Sequence, residues 1–212
     1  MQEAPILKEQ ISPYLPEHPI IVEAGAHIGR DTLRMSLFWT QSEIHAFEPV
    51  PALHEFLLER TAQCKNVTCY TTALSDHSGT ETFYVSSGAS TAVSSFYEPF
   101  EYIKERPHVF FEKIEIPTIT LDEWALQHGI THVDALWLDM QGAELKTLNA
   151  SPQIVSTVKV MVVEASLTER FKGIPLYNEV TSWIEGRGFR IIQRDAPKYH
   201  KVNLLCVREE LL

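Results

Sequence analysis

Short apolar runs that each hand over to a carboxylate at or near their C-terminal end constrain this chain most. Glu23 lies in the run 20–24, Glu48 ends 44–48, Asp139 ends 133–139 and Glu164 ends 158–164. Runs of consecutive apolar residues suit strands buried on both faces, as in a parallel sheet covered by helices on either side. Stretches with helical spacing separate them, so the expected class is α/β with a Rossmann-like, mostly parallel sheet and helices on both faces.

The first run leads into Gly25-Ala26-His27-Ile28-Gly29 and then a helix from about Arg30, with Ile28, Leu33 and Leu37 near one face. After 44–48, Pro51 suits the first turn of a helix whose buried stripe is read as Leu53, Phe56 and Leu57. A third strand is read at 67–74, and a short edge strand at 81–85 follows the turn at Ser78-Gly79. Thr120 and Glu123 have the spacing of a capping box. A helix is read at 177–186, and 189–193 with 203–207 as a closing antiparallel pair. Residues 86–112 have no clear period but carry Phe96, Tyr97, Phe100, Tyr102, Phe110 and Phe111. Two readings stay open for them: a flap covering the sheet, or an acceptor-binding lid.

The length of 212 residues suits a single domain, read as 1–212 with its core at about 20–208. A net charge of −10 with scattered basic residues argues against a nucleic acid partner. No apolar stretch exceeds four residues and the opening Met1-Gln2-Glu3-Ala4-Pro5 has no leader pattern, so no membrane insertion is expected. Cys64, Cys69 and Cys206 show neither metal spacing nor even number, which points to a reduced, cytoplasmic setting. The oligomeric state has no signature in the sequence.

The turn at 25–29 couples an acidic strand end to glycines that admit a ligand close to the backbone. Glu48, at the next strand end, is placed to accept both hydroxyls of a ribose. A dinucleotide fingerprint would need glycine where this chain has His27, and Glu23 would repel a pyrophosphate. S-adenosylmethionine has no phosphate and carries ammonium and sulfonium charges, so a pocket ringed by Glu23, Glu48 and Asp139 complements it better than it does NAD.

On these residues the sequence resembles the FkbM family of methyltransferases. The matching segments are Glu23 to Gly29, Ala46-Phe47-Glu48-Pro49, Ala73-Leu74-Ser75-Asp76 and Asp139-Met140-Gln141-Gly142-Ala143-Glu144. The resemblance implies a seven-stranded methyltransferase sheet with an antiparallel C-terminal strand. It also implies that Glu23, Gly25 and Gly29 line the methionine end of S-adenosylmethionine, Glu48 the ribose, and Leu74 with Ser75 the adenine edge, with Ala24, His27, Pro49 and Asp139 also at the cofactor. Family members usually carry an acid at the position of Gln141 and asparagine at that of His27.

The expected reaction is O-methylation of a sugar, glycan or small natural product, with Asp139 or Glu164 as the base that takes the hydroxyl proton. Glu144 is read as equally suited to backbone N–H groups. Asp139 and Glu164 could alternatively hold Mg²⁺, and His27, His45 and His108 are further possible bases. Two rivals are a catalytically silent cofactor-binding module and an NAD-dependent oxidoreductase.

Overall fold

The computed structural model describes residues 5–212, so the opening Met1–Ala4, read above for a leader, lies outside the described residues. In chain order the strands are β1 (Ile20–Ala24), β2 (Glu43–Phe47), β3 (Val67–Tyr70), β4 (Ala73–Leu74), β5 (Gly79–Gly88), β6 (Val109–Ile119), β7 (Ala135–Leu138), β8 (Val160–Ser166), β9 (Phe189–Arg194) and β10 (Lys201–Arg208). The helices are α1 (Lys8–Ile11), α2 (Arg30–Phe38), α3 (Pro51–Thr61), α4 (Glu101–Glu105), α5 (Leu121–His128), α6 (Glu144–Asn149), α7 (Pro152–Thr157) and α8 (Tyr177–Gly186).

Seven strands form one sheet in the order β3-β2-β1-β7-β8-β10-β9. β10 runs antiparallel to both of its neighbours, and the remaining pairings are parallel. Alternate residues of the same strand enter different cores, which is why these strands read as unbroken apolar runs. Val22, Met161, Val163 and Leu204 pack with Trp124, Ile154 and Ile184 from α5, α7 and α8. On the opposite face Ile21 and Ile44 meet Met35 of α2, while Val160, Val162 and Leu205 meet Ile11 of α1.

Two helix stripes differ from the sequence reading. α2 buries Thr32, Met35 and Ser36 and leaves Leu37 exposed; α3 buries Leu53, His54 and Leu57 and leaves Phe56 exposed. In each case the helix is rotated so that small and polar residues fit against the sheet, outweighing the apolar count. Only half of the expected capping box forms at α5: Thr120 Oγ1 accepts from Glu123 N–H at 3.1 Å, while the Glu123 carboxylate accepts from Ser78 and Gln127.

The expected strand at 67–74 is two strands in two sheets. β3 closes the edge of the large sheet, whereas β4 joins a second sheet of order β4-β6-β5. The expected short edge strand is the long β5, paired antiparallel with β6 from Gly79↔Thr118 to Gly88↔Val109. This small sheet packs through Phe83 and Ile116 onto Val50 and Leu53 at the start of α3. The excursion between β5 and β6 is anchored, since Val93, Tyr102 and Val109 are buried with Phe171 and Ile174. Phe100 and Tyr102 N–H both donate to the Arg170 carbonyl. Among the described residues no helix is long and apolar enough to cross a membrane, and Cys64, Cys69 and Cys206 are free thiols.

Candidate active site

The C-terminal ends of β1, β2 and β7 are drawn together by their backbones. Gly25 and Ala26 N–H donate to the Phe47 carbonyl at 3.1 and 3.0 Å, and Asp139 N–H donates to the Ala24 carbonyl at 3.0 Å. Gly25 has φ 87°, and a Cβ there would stand 1.9 Å from the Asp139 carbonyl oxygen. Glycine is thus required by two turns in contact, beyond its tolerance of positive φ. His27 and Gln141 each adopt φ 52°, a region non-glycine residues visit rarely, and each lies in one of these two turns.

These turns wall a cleft of about 200 Å³ that Glu23, Asp31, Glu48 and Asp139 line, against one arginine, Arg30. Glu48 is buried, with Oε2 accepting from His27 N–H at 2.8 Å and Oε1 from Val50 N–H at 2.9 Å. Burial pushes its carboxyl up to about 7, and the two backbone donors only partly offset this. Glu23, equally buried, accepts from the Thr32 hydroxyl and is pushed up to about 8 by loss of solvent. Among the described residues neither carboxylate has an ion-pair partner, so a bound cation would favour their ionised forms. Phe47, Leu53, Leu74 and Phe83 supply an apolar wall suited to a flat ring.

Asp139 belongs to a second cluster at the mouth. Gln141 Nε2 donates to Asp139 Oδ1 at 2.5 Å and to Glu164 Oε1 at 2.9 Å. Lys201 Nζ stands 2.5 Å from Glu164 Oε2 and 4.0 Å from Asp139 Oδ1. Burial and the nearby Asp139 raise the Glu164 carboxyl well above its ordinary range, with Lys201 opposing them. The Glu144 carboxylate is taken up by the Met140 and Gly142 N–H groups at 2.8 and 3.0 Å.

Eight of the residues singled out from the sequence thus line one cleft: Glu23, Ala24, Gly25, His27, Glu48, Pro49, Leu74 and Asp139. Gly29 does not, because the position of its missing Cβ is filled by Leu57, 2.8 Å away, and it serves α2–α3 packing. Ser75 is fully buried behind Leu74, its hydroxyl donating to Glu81 at 3.0 Å. Glu164 stands behind Gln141 and against Lys201. The pair Asp139 and Glu164 does not suit Mg²⁺, since an ammonium and an amide already occupy the oxygens that face each other. His45 is buried against Tyr70 and Trp124, and His108 is exposed on the rim of β6; neither lines the cleft. Arg30 and Asp31, next to the glycine turn, and Thr91 and Ala92 were not anticipated, whereas Phe96 is one of the aromatics singled out in the aperiodic segment. His27 Nε2 lies 2.9 Å from Thr91 Oγ1, so that segment closes over the turn.

Residues 23–191 match the methyltransferase FkbM domain. The chain belongs to the FkbM methyltransferases. It is 26% identical over 165 residues to the 2-O-methyltransferase NoeI of Sinorhizobium fredii, covering 74% of this chain and 68% of that protein. It is also 26% identical over 202 residues to the methyltransferase sdnD of Sordaria araneosa, covering 84% and 76%. Among solved structures, fibrillarin of Methanococcus jannaschii superposes with a TM-score of 0.57 at 13% identity, over 93% of this chain and 69% of that one. A SAM-dependent methyltransferase of Aquifex aeolicus gives 0.50 at 12% identity, over 95% and 88%. Fibrillarin of Aeropyrum pernix with natively bound S-adenosyl-L-methionine gives 0.50 at 11% identity, over 93% and 74%. These structural likenesses establish a Rossmann-like methyltransferase fold. This FkbM member is therefore an S-adenosylmethionine-dependent methyltransferase, and the oxidoreductase alternative falls away.

Proposed function

We propose that this enzyme methylates a hydroxyl of a sugar, glycan or small natural product, with Asp139 as the base. The observation that carries this reading is the contrast between the two candidate carboxylates. Asp139 lines the cleft with 45% of its side chain exposed, whereas Glu164, at 5%, is held by Lys201 and Gln141. The 2-O-methyltransferase NoeI among the relatives supports oxygen as the acceptor atom.

S-adenosylmethionine, when bound, supplies an electrophilic methyl group on a cationic sulfur. Glu23 and the backbone of Ala24, Gly25 and His27 would hold its methionine end, Glu48 and Pro49 its ribose, and Leu74 its adenine. An alkyl hydroxyl is a poor nucleophile while protonated, so a base within hydrogen-bond reach helps. Asp139 would take the hydroxyl proton during methyl transfer. Gln141 fixes the Asp139 carboxylate, and Lys201 Nζ stands 4.0 Å from Asp139 Oδ1. Glu164 anchors Lys201, a positioning role in place of a second base.

The acidic cleft disfavours a polynucleotide acceptor. We take the chain as one catalytic domain with its core at about 20–208, and the free cysteines support a cytoplasmic setting. A screen of hydroxylated acceptors with methyl-labelled cofactor tests the assignment. Transfer to an oxygen, lost in Asp139→Asn, is expected; transfer to nitrogen or carbon alone would overturn it.

A further inference from the structure

A second cavity, of about 310 Å³, adjoins the acidic cleft and shares Ala92 and Gln141 with it. Its lining differs in sign: Arg106, Arg170, His200 and Lys201 face it and no carboxylate does. This is unusual placement in a chain of net charge −10.

Two of these cations are matched from behind. Lys201 has Glu164, and Arg170 Nη2 has Glu105 Oε2 at 2.8 Å. The others are not matched in this way. Arg106 stacks on the Tyr199 ring, 5.2 Å from its centroid, and has no carboxylate partner among the described residues. His200 Nε2 reaches only the same Glu105, at 4.0 Å. Arg170 is 7% exposed, lies over the Tyr102 ring and donates through Nη1 to the Tyr199 carbonyl, yet its Nε has no hydrogen-bond partner. A guanidinium carries several N–H donors, and an anion is their complementary ligand.

We infer that this cavity receives the methyl acceptor, and that the acceptor is a hydroxylated molecule carrying a carboxylate, sulfate or phosphate. Arg106 and Arg170 hold the anionic group, and the reacting hydroxyl lies at the junction by Ala92 and Gln141, beside Asp139. Ser90 and Ser166, also in the lining, offer hydrogen bonds to further hydroxyls. The inference rests on the O-methylation reading for its reacting end, while the anion site stands on its own geometry.

The test is a ligand-observed NMR titration of glucuronic acid, glucose sulfate and glucose phosphate, each against glucose, with the chain both free and loaded with S-adenosylhomocysteine. At least one anionic sugar is expected to bind about tenfold more tightly than glucose, the worth of one charge-assisted hydrogen bond. Arg106→Ala should abolish that preference and leave cofactor affinity unchanged, because Arg106 is exposed and outside the cofactor cleft. Arg106→Lys should keep part of it. Which anion is preferred separates the carboxylate from the two oxyacid esters. Equal binding of glucose and all three anionic sugars, no binding of any of them, or a preference that survives both Arg106→Ala and Arg170→Gln would overturn the inference. An anion preference without cofactor binding would instead sink the transfer reading and leave the anion site standing.

Discussion

The two cavities that meet at Gln141 differ in charge and in how the chain builds them. The acidic cleft is framed by the ends of β1, β2 and β7 and the turns that leave them, so its carboxylates come with their strands. The basic cavity draws Arg106 from the excursion after β5, Arg170 from the loop after β8, and His200 and Lys201 from the start of β10. A Rossmann-like sheet brings the first set together by topology alone. The second set meets only because the excursion is tied to Arg170 and because β10 returns antiparallel along β8. The acidic cleft therefore follows from the sheet topology, whereas the basic cavity depends on how the excursion after β5 and the return of β10 pack.

Four variants or conditions would break or sharpen that contrast. Gly25→Ala should have the largest effect, because its Cβ would enter the Asp139 carbonyl at a φ of 87°. We expect a loss of ~3 kcal/mol or more in chemical denaturation and no measurable cofactor binding. Gly129→Ala, with open space around it, should cost only ~1 kcal/mol. Near-equal losses for the two would mean the turns do not meet as described.

Asp139→Asn comes next. Turnover on an identified acceptor should fall ~100- to 10,000-fold, with little change in melting temperature. Retained turnover would remove Asp139 as the base. Glu48→Ala should weaken S-adenosylmethionine binding ~10- to 100-fold by calorimetry while leaving the anion preference of the basic cavity intact. If both are lost together, the two cavities are not independent in the way the geometry implies.

The smallest effect on ligand affinity is its pH dependence. Glu23 and Glu48 have folded-state values near 8 and 7, raised by burial from 4.5. The folded, ligand-free chain thus holds more protons than the unfolded one between these values. Their contribution to stability is greatest below about 4.5 and is lost as pH rises through about 7 to 8. A cationic ligand prefers the ionised carboxylates, so its affinity should rise a few-fold over that same interval. Calorimetry and melting curves should show these opposite slopes, and Glu48→Gln should flatten both. Parallel slopes would mean that these carboxylates do not face the ligand.

The legible parts of the fold were those with strong local signals. β1, β2, β7 and β8 were readable because both of their faces are largely buried and most of their side chains are apolar. β6 was not read, for Glu112, Lys113 and Glu115 are exposed on both of its faces and it contains Pro117. Pro117 is tolerated there because β4 pairs only with Thr118 and Ile119, so β6 has no neighbour on that side before them. The break between β3 and β4 was equally hidden, since 67–74 keeps one strand-like composition across a change of sheet.

At the site, the acidic rim and the glycine turn were determined by sequence alone. Strand periodicity sets where each run ends, and parallel pairing then brings those ends to one edge. Which carboxylate is free to act was decided only in three dimensions. Asp139 and Glu164 have the same sequence signature, a carboxylate closing an apolar run. The antiparallel pairing of β10 sets Lys201 beside Glu164, and the left-handed turn at Gln141 lets one amide bridge both acids. The sign of the second cavity has the same origin, because its cations are far apart along the chain and only long-range packing makes them neighbours.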